Sequence, residues 1–497
     1  MPRKQTRNAI RKKNIWVAIY VGSIARDYLG AVSIGRSLKA LGYIVSLFHD
    51  RVGQYSIREW ILEYRPDVLV LPAVPFGYRF HSYFRAKGVT DYKPFIVIVP
   101  TEFRAGLLKE PTDQAPTIPD VASYVDLVLC INRYERTHLL KVFKTLSKEK
   151  TEVVGMPRFD FFFQSRKRDE KFYTKYAIPK DYWGQKVVLI SSRAGAIDFI
   201  EEDLKRGRKS RVIQRGLAQS GETEETVMHI VAIQKHVRDL FIKATERLAE
   251  AFDDHCIVFR LHPSEKPGTH YDRLKTYKNV VIMDPNKGYI GEVLSFSDVM
   301  IGFRCTSFIE ATLAGVPIIQ LLPEPSVLSG PTDTDETTEG LDGYVVSSVE
   351  SIKRLLPAVQ EVLDRSGRWP NNKDTDQSSK IADHVEYLDG QSSRRVSERI
   401  DYWLGQSGMI EEIEQRGIRR RKEFIAKATN QSLQRGRFFR QYDPRLEPFK
   451  ATLLYIKQGL KVFKRISLNF IGRDVDSITF NVDVEKDLSS KELINVK

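Results

Sequence analysis

Cysteine is scarce in this sequence: 497 residues contain only Cys130, Cys256 and Cys305, with no Cys-x-x-Cys spacing. This scarcity excludes a small disulfide-stapled module and disfavours a zinc or dithiol site, so we expect a reducing, cytoplasmic compartment. No segment approaches the roughly 18 uncharged apolar residues of a membrane-spanning helix. The basic first residues lead directly into a strand-like segment, without the apolar stretch and cleavage site of a secretion signal.

Several catalytic signatures are also missing. The sequence has no G-x-G-x-x-G or P-loop pattern and no G-x-S-x-G, which argues against dinucleotide oxidoreductases, P-loop kinases and serine hydrolases. An Asp-x-Asp occurs at 332–334, but within a polar loop and not at the end of a predicted strand. We therefore expect no metal ion and no cofactor.

The net charge of +14 is distributed unevenly along the chain. Residues 1–13 contribute +6 and residues 416–465 contribute +12, so the remainder carries −4. A mildly acidic body with basic ends does not predict a nucleic-acid-binding cleft. We expect the basic ends to contact another anionic surface.

The basic C-terminal region contains an apolar stripe at helical spacing, which is typical of a helix lying on a membrane surface. The stripe consists of Phe449, Leu453, Ile456, Leu460 and Phe463. The basic residues expected to contact an anionic membrane are Arg419, Arg420, Arg421, Lys450, Lys457, Lys461 and Lys464. Alternatively, the stripe packs against the α/β body or a partner subunit. Nucleic acid is disfavoured because the aromatic residues lie within the stripe and do not alternate with the charges.

The pattern of apolar runs predicts two α/β domains in tandem, as expected for a chain of this length. Short β-branched runs alternate with helical patterns at 14–21, 43–48, 68–72, 95–100, 127–131 and 151–155, and again at 186–192, 255–263, 279–284, 297–302 and 317–323. This alternation favours parallel sheets. The predicted division is a basic tail at 1–13, a first Rossmann-like acceptor domain at 14–165, a polar linker at 166–185, a second Rossmann-like donor domain at 186–405 and a basic helical extension at 406–497.

Ligands of open parallel sheets bind at the carboxyl ends of the strands, so we expect the site residues to lie there. In the second domain these ends carry Ser191, Ser192, Arg193, Arg260, His262, Pro263, Ser264, Glu265, Gly302, Arg304, Thr306 and Ser307. Such a set of cationic and hydrogen-bonding groups predicts a phosphate-bearing nucleotide. Ser307 and Glu310 also have the spacing of a capping box, which serves the helix itself, either alone or together with ligand contact.

In the first domain the strand ends carry two candidates for a general base, Asp27 and Glu102. Each also has a structural alternative. Arg26 and Asp27 fit a pair at a helix start, and Glu102 fits a pair with Arg104. His49 and Asp50 follow the second strand and fit a simple turn.

Four segments together resemble bacterial surface-carbohydrate glycosyltransferases of the GT-B fold, including Kdo and polysialic acid transferases and, more distantly, CDP-glycerol glycerophosphotransferases. They are VVGMPRFDFF (153–162), FRLHPSE (259–265), SDVMIGFRCTSFIEATLAGVPII (297–319) and YLDGQSSRRVSERI (387–400). The resemblance implies two facing Rossmann-like domains with the donor on the second. It also implies that His262 and Pro263 meet the donor's cytidine or phosphate end, Thr306 and Ser307 its phosphate, and Glu310 its ribose, with Asp27 as the base. Phe303-Arg304-Cys305 departs from the family's pattern.

The sequence thus predicts an inverting, metal-independent glycosyltransferase, peripheral on the inner face of the cell membrane. The first donor hypothesis is a CMP-sugar, and the acceptor a lipid-linked surface polysaccharide; other polysaccharide-assembly proteins are candidate partners. The predicted site binds the leaving phosphate through His262, Arg260 and the Thr306–Ser307 helix start, and Arg193 adds positive charge. Alternatives are a CDP-polyol phosphotransferase, a UDP-sugar 2-epimerase, and a non-enzymatic membrane-binding assembly protein on the same fold.

Overall fold

The computed structural model describes most of the α/β body of the chain. The described residues are 15–22, 24–49, 57–101, 124–163, 170–193, 197, 224–263, 265, 268–284, 288–324, 327, 344–365, 381 and 384–406. The predicted basic ends, 1–13 and the membrane-binding residues beyond 406, therefore lie outside the described residues. Within the described ranges, no helix has the length and apolar character that crossing a membrane requires.

The first sheet contains six parallel strands, and they confirm the six apolar runs predicted in the first half. They are β1 (Trp16–Val21), β2 (Ile44–His49), β3 (Val68–Leu71), β4 (Phe95–Ile98), β5 (Leu127–Cys130) and β6 (Thr151–Val153), in the spatial order β2-β1-β3-β4-β5-β6. The connecting helices are α1 (Ile24–Ala40), α2 (Ile57–Tyr64), α3 (Val74–Ala86) and α4 (Arg133–Val142). Strands β3, β4 and β5 are buried along their whole length, as expected for a parallel sheet covered on both faces.

The second sheet repeats this design, with six parallel strands in the order β12-β11-β10-β7-β8-β9. The strands are β7 (Val187–Ser191), β8 (Cys256–Arg260), β9 (Val280–Met283), β10 (Val299–Gly302), β11 (Ile318–Leu321) and β12 (Ser347–Val349). The remaining helices are α5 (Glu170–Lys175), α6 (Glu224–Ala251), α7 (Ile290–Leu294), α8 (Ser307–Leu313), α9 (Ile352–Asp364) and α10 (Ser392–Gly405), with short 3-10 turns at Lys148–Lys150, Pro157–Phe163, Lys180–Tyr182 and Thr269–Thr276. Two Rossmann-like sheets confirm the predicted α/β class.

The segment between the sheets differs from the polar linker expected at 166–185. Phe172, Tyr173 and Tyr176 are buried in the same apolar cluster as the strands of the second sheet. The ring of Phe172 stacks on that of Phe296, and the ring of Tyr173 stacks on that of Trp183. From residue 170 onward, where the structure describes this segment, its charged residues occupy the exposed positions, so its composition did not reveal its apolar face.

Helix α10 packs against the first sheet, although its sequence lies in the range assigned to the second domain. Val396, Ile400 and Leu404 belong to the apolar cluster of β1 and α1. Asp160 accepts hydrogen bonds from the backbone N–H groups of Ser392 at 2.9 Å and Ser393 at 2.7 Å, and so caps the start of the helix. The chain thus passes between the two sheets twice.

Candidate active site at the cleft between the two sheets

The predicted donor residues come together because their strands are neighbours. Strand β7 pairs with β10 on one side and with β8 on the other. Their carboxyl ends therefore place Arg193, Arg260 with His262, and Arg304 at one edge of the sheet. Pro263 lies exposed in the turn after β8.

Glu265 organises the loop after β8. Its buried carboxylate accepts hydrogen bonds from the Ser192 hydroxyl at 2.8 Å, the His262 backbone N–H at 2.6 Å and the Tyr271 hydroxyl at 2.5 Å. The sequence placed Glu265 at this strand end without indicating a role for it. In the structure it ties the ends of β7 and β8 together and fixes the backbone of His262.

His262 lies in a strongly positive environment. Burial lowers the pKa of its imidazole from 6.5 to about 4, with further lowering by the charges of Arg260, Arg193 and Arg26. Arg26 comes from α1 of the first domain, so both domains contribute charge to this point. The imidazole is therefore neutral near pH 7, within a cluster of cations.

Two of the predicted arginines lie over one aromatic ring. The guanidinium carbon of Arg193 is 5.4 Å from the centroid of the Phe303 ring, and that of Arg304 is 5.6 Å from it. Arg304 has a positive φ of 37°, and its backbone N–H donates to Gln320 Oε1 at 3.3 Å. The unusual Phe303-Arg304 pair thus gives the strand end a ring that positions two guanidinium groups.

The capping-box interpretation of Ser307 and Glu310 is wrong. Thr306 is the N-cap residue of α8 and makes no side-chain capping hydrogen bond. The Ser307 hydroxyl lies 2.7 Å from Cys305 Sγ. The carboxylate of Glu310 does not return to the helix start, because it accepts a hydrogen bond from the Tyr289 hydroxyl at 2.7 Å and lies 3.5 Å from Arg158 Nε.

Glu310 is the centre of a buried polar cluster that spans both domains. We call Arg158, Arg260, Tyr289 and Glu310 the Glu310 cluster. Arg260 Nη2 donates to the Gly288 carbonyl at 3.1 Å; burial lowers the pKa of this guanidinium, and the charge of Glu310 opposes that shift. Arg158 follows β6 of the first domain and was not predicted as a site residue. In the sequence, Arg158 appeared only within the segment 153–162, one of the four that carry the family resemblance.

The candidate base Asp27 is buried in the first turn of α1, with 2% of its surface exposed. Arg26 holds its carboxylate, with Nε 2.6 Å from Oδ1 and Nη2 3.3 Å from Oδ2. Asp27 also lines a mainly apolar recess of about 390 Å³, open space included, together with Thr101 and Arg158. This arrangement includes the helix-start pair anticipated from the sequence and places it at the cleft.

Glu102 and Ser264 lie outside the described residues, as do Asp50 and the Asp-x-Asp at 332–334. Across the ranges that the structure describes, no group of three or more His, Cys, Asp or Glu side chains could hold a metal ion. Metal independence stays a prediction.

Comparisons with known proteins show similarity of structure alone. No protein-family model and no curated protein sequence matches the chain. A single-residue variant of the wall teichoic acid polymerase TagF is 12% identical, with a TM-score of 0.50, over 81% of this chain and 96% of that chain. The Staphylococcus aureus MnaA–UDP structure (14%, TM-score 0.46, 79% and 98%) and the Methanocaldococcus jannaschii UDP-GlcNAc 2-epimerase (17%, TM-score 0.44, 78% and 100%) are also similar.

The architecture agrees with the similarity to the TagF variant. Two six-stranded parallel sheets, each flanked by helices, meet at a cleft to which both contribute charged side chains. The chain therefore has the GT-B fold, as the sequence predicted.

Proposed function

We propose that this chain is an enzyme that binds a nucleotide-activated sugar through its phosphates and transfers the sugar to an acceptor hydroxyl. The donor lies at the carboxyl edge of the second sheet, against Arg193, Arg260, His262, Arg304 and the Thr306–Ser307 helix start. The acceptor approaches from the first domain. The reaction inverts the sugar's anomeric centre and needs no metal.

The observation that carries this proposal is the convergence of Arg260, Arg193 and Arg26 on His262. Burial, and then the charges of three arginines from both domains, lower the pKa of this imidazole to about 4. A cleft with such a surplus of positive charge attracts and holds an anionic ligand. A phosphate or diphosphate linked to a nucleoside supplies that negative charge and fits the ligand position typical of parallel α/β sheets.

The same groups support group transfer as well as binding. As the bond from sugar to phosphate breaks, negative charge develops on the leaving phosphate, and preorganised guanidinium groups stabilise it. Arg26 links this event to the base, because it both holds the Asp27 carboxylate and acts on His262. A phosphate beside His262 draws Arg26 toward itself and releases Asp27 to accept the acceptor's proton. Glu102 is the alternative base.

For the substrates, we propose a CMP-sugar as donor and a lipid-linked surface polysaccharide as acceptor. The basic residues beyond 406 would then hold the enzyme on the anionic inner face of the cell membrane, beside that acceptor and other polysaccharide-assembly proteins. Each basic residue near such a surface contributes on the order of 1 kcal/mol.

The first test is a thermal-shift screen with CMP, CDP, UDP and GDP. We expect one of these nucleotides to stabilise the chain, and the Arg193→Gln variant to lose that stabilisation. Arg136→Gln is the matched control, because Arg136 bonds Thr151 and Lys148 of its own domain. If no nucleotide raises the melting temperature, the proposal is rejected.

The second test identifies the product. Sugar transfer releases the nucleotide and adds no phosphorus to the acceptor. Transfer of a polyol phosphate from CDP-glycerol adds one phosphorus atom per unit, and 2-epimerisation of a UDP-sugar requires no acceptor. Either of these last two outcomes would replace glycosyl transfer with the corresponding reaction.

A further inference from the structure

The Glu310 cluster contains more positive charge than negative charge, although all four of its residues are buried. Arg158 is 5% exposed, and Arg260, Tyr289 and Glu310 are each 4% exposed. The cluster has two guanidinium groups and one carboxylate. Burial and Glu310 raise the pKa of the Tyr289 hydroxyl well above its ordinary value, so Tyr289 stays neutral. One positive charge is left without a compensating partner in the cluster.

The hydrogen bonding of the cluster is also incomplete. The Nε atoms of Arg158 and Arg260 are both buried, and neither has a hydrogen-bond partner among the described residues. Arg158 Nε lies 3.5 Å from Glu310 Oε1, which brings the charges together without satisfying the N–H group. A buried, unsatisfied donor is costly, and more so when it is charged. The cluster therefore lacks an acceptor that carries negative charge.

The position of Arg158 is fixed by its own domain. Its Nη1 donates to the Thr101 carbonyl at 3.0 Å, and its guanidinium carbon lies 5.1 Å from the centroid of the Phe159 ring. Its backbone packs closely on α1, where a Cβ atom at Gly30 would come within 3.1 Å of Arg158 N. Residues of the first domain hold both the backbone and the guanidinium group of Arg158. This side chain is therefore preorganised and faces the second domain without needing a ligand to order it.

We propose that Arg158 and Arg260 together bind one phosphate group of the donor, so that each domain contributes one guanidinium to the same phosphate. A phosphate has enough acceptor oxygens to satisfy N–H groups from both planar guanidinium forks. Glu310 acts as an internal anion that neutralises part of this charge and competes with the phosphate. This inference rests on the proposed function and extends it, because it makes the first domain a part of the donor site.

If Glu310 competes with the phosphate, the variants Arg158→Gln and Glu310→Gln should change the affinity for phosphate in opposite directions. Binding of inorganic pyrophosphate is measured by calorimetry for the wild-type chain and for Arg158→Gln, Glu310→Gln and Arg136→Gln. We expect Arg158→Gln to weaken binding about tenfold or more, the scale of a lost charge-assisted hydrogen bond. Glu310→Gln should tighten binding, and Arg136→Gln should change nothing. Pyrophosphate carries no ribose, so a ribose contact of Glu310 does not affect this comparison.

Binding measurements with CMP and cytidine distinguish failure of the shared phosphate site from failure of the proposed function. CMP should lose affinity in Arg158→Gln by a similar factor, whereas cytidine, which has no phosphate, should not. Absence of nucleotide binding by the wild-type chain rejects the proposed function. Binding of CMP that is unchanged in Arg158→Gln rejects only the shared phosphate site.

Folding of the variants is checked by circular dichroism and thermal unfolding. If Arg158→Gln fails to fold, Arg158→Lys retains the charge without the planar fork, and it should bind pyrophosphate more weakly than wild type. Equal affinity in Arg158→Lys overturns the proposal. Weaker pyrophosphate binding in Glu310→Gln also overturns it, because that result would show that Glu310 supports the anion and does not compete with it.

Discussion

The protonation of His262 should be unfavourable in the folded chain and measurable as a loss of stability in acid. Its pKa is lowered from 6.5 to about 4, first by burial and then by Arg260, Arg193 and Arg26. Between these values the unfolded chain binds more protons than the folded chain, so stability falls as the pH falls through this window. At about pH 5.5 the loss is about 1.4 kcal/mol, at about pH 4 it is about 3 kcal/mol, and at lower pH it approaches about 3.4 kcal/mol, at 1.36 kcal/mol per pKa unit.

The pKa itself is accessible by NMR of the chain labelled with ¹³C at the histidine ε1 carbon. The chain has nine histidines, and the resonance missing from the His262→Gln variant identifies His262. We expect this resonance to titrate near pH 4 and to shift to higher pH when CMP or pyrophosphate binds, because the bound anion offsets the arginine charges. His81 is the internal control. Burial, Lys93 and Arg85 lower its pKa too, but it lies on α3, and its titration should not respond to the nucleotide.

Urea unfolding at about pH 7.5 and about pH 5.5 measures the same effect as a change in the free energy of unfolding. The wild-type chain should lose about 1.4 kcal/mol more than His262→Gln between these two conditions. A His262 resonance that titrates at or above pH 6.5 would refute the positive potential on which the donor site was built. Equal acid sensitivity of the two chains would show that the imidazole is free to protonate in the folded state.

Four further outcomes are expected. In Gly288→Ala the new methyl group would collide with the hydroxyl end of the Tyr176 ring and lie 2.8 Å from its Cε1, so urea unfolding should show a loss of about 1–3 kcal/mol, partly restored by adding Tyr176→Phe. Asp160→Ala leaves two buried N–H groups of α10 without an acceptor and should cost about 2–4 kcal/mol in the same assay, with Asp160→Asn costing less. Asp27→Asn should lower turnover more than donor affinity, and wild-type activity should persist in excess EDTA; rescue of a lost activity by magnesium or manganese would contradict this. In vesicle flotation, the full chain should float with anionic vesicles, less so at high salt, whereas a chain ending at residue 410 should stay in solution; equal flotation would exclude the basic end as the anchor.

The strands could be predicted from the sequence because their signal is local. Runs such as FIVIVP and LVLCI are apolar on both faces, as buried parallel strands require. Strand β12 was missed because Ser347–Val349 has three residues, two of them serine, and its neighbour β11 supplies the pairing. The aromatic residues of α5 were missed for a related reason, since charged neighbours lower the average hydropathy of that segment.

The sequence could predict only those site residues that lie at the carboxyl end of a strand. Arg193, Arg260 and His262 lie at strand ends and were found on that ground. Arg158 was missed because it lies in a 3-10 turn after β6, and its importance depends on a contact with Glu310 of the other domain. The capping box failed for the same reason: spacing alone cannot show that a carboxylate is held by Tyr289 from another segment.

The return of α10 to the first sheet makes the first domain a discontinuous unit. A fragment of residues 15–163 would leave the apolar surface beneath Val396, Ile400 and Leu404 in water and would lose the partner of the Asp160 carboxylate. Expressing this domain alone therefore calls for fusing residues 384–406 to it by a short linker. The double crossing also means that two stretches of chain join the two sheets, so a single cut in the first stretch would leave the second sheet covalently linked to α10, which packs on the first sheet.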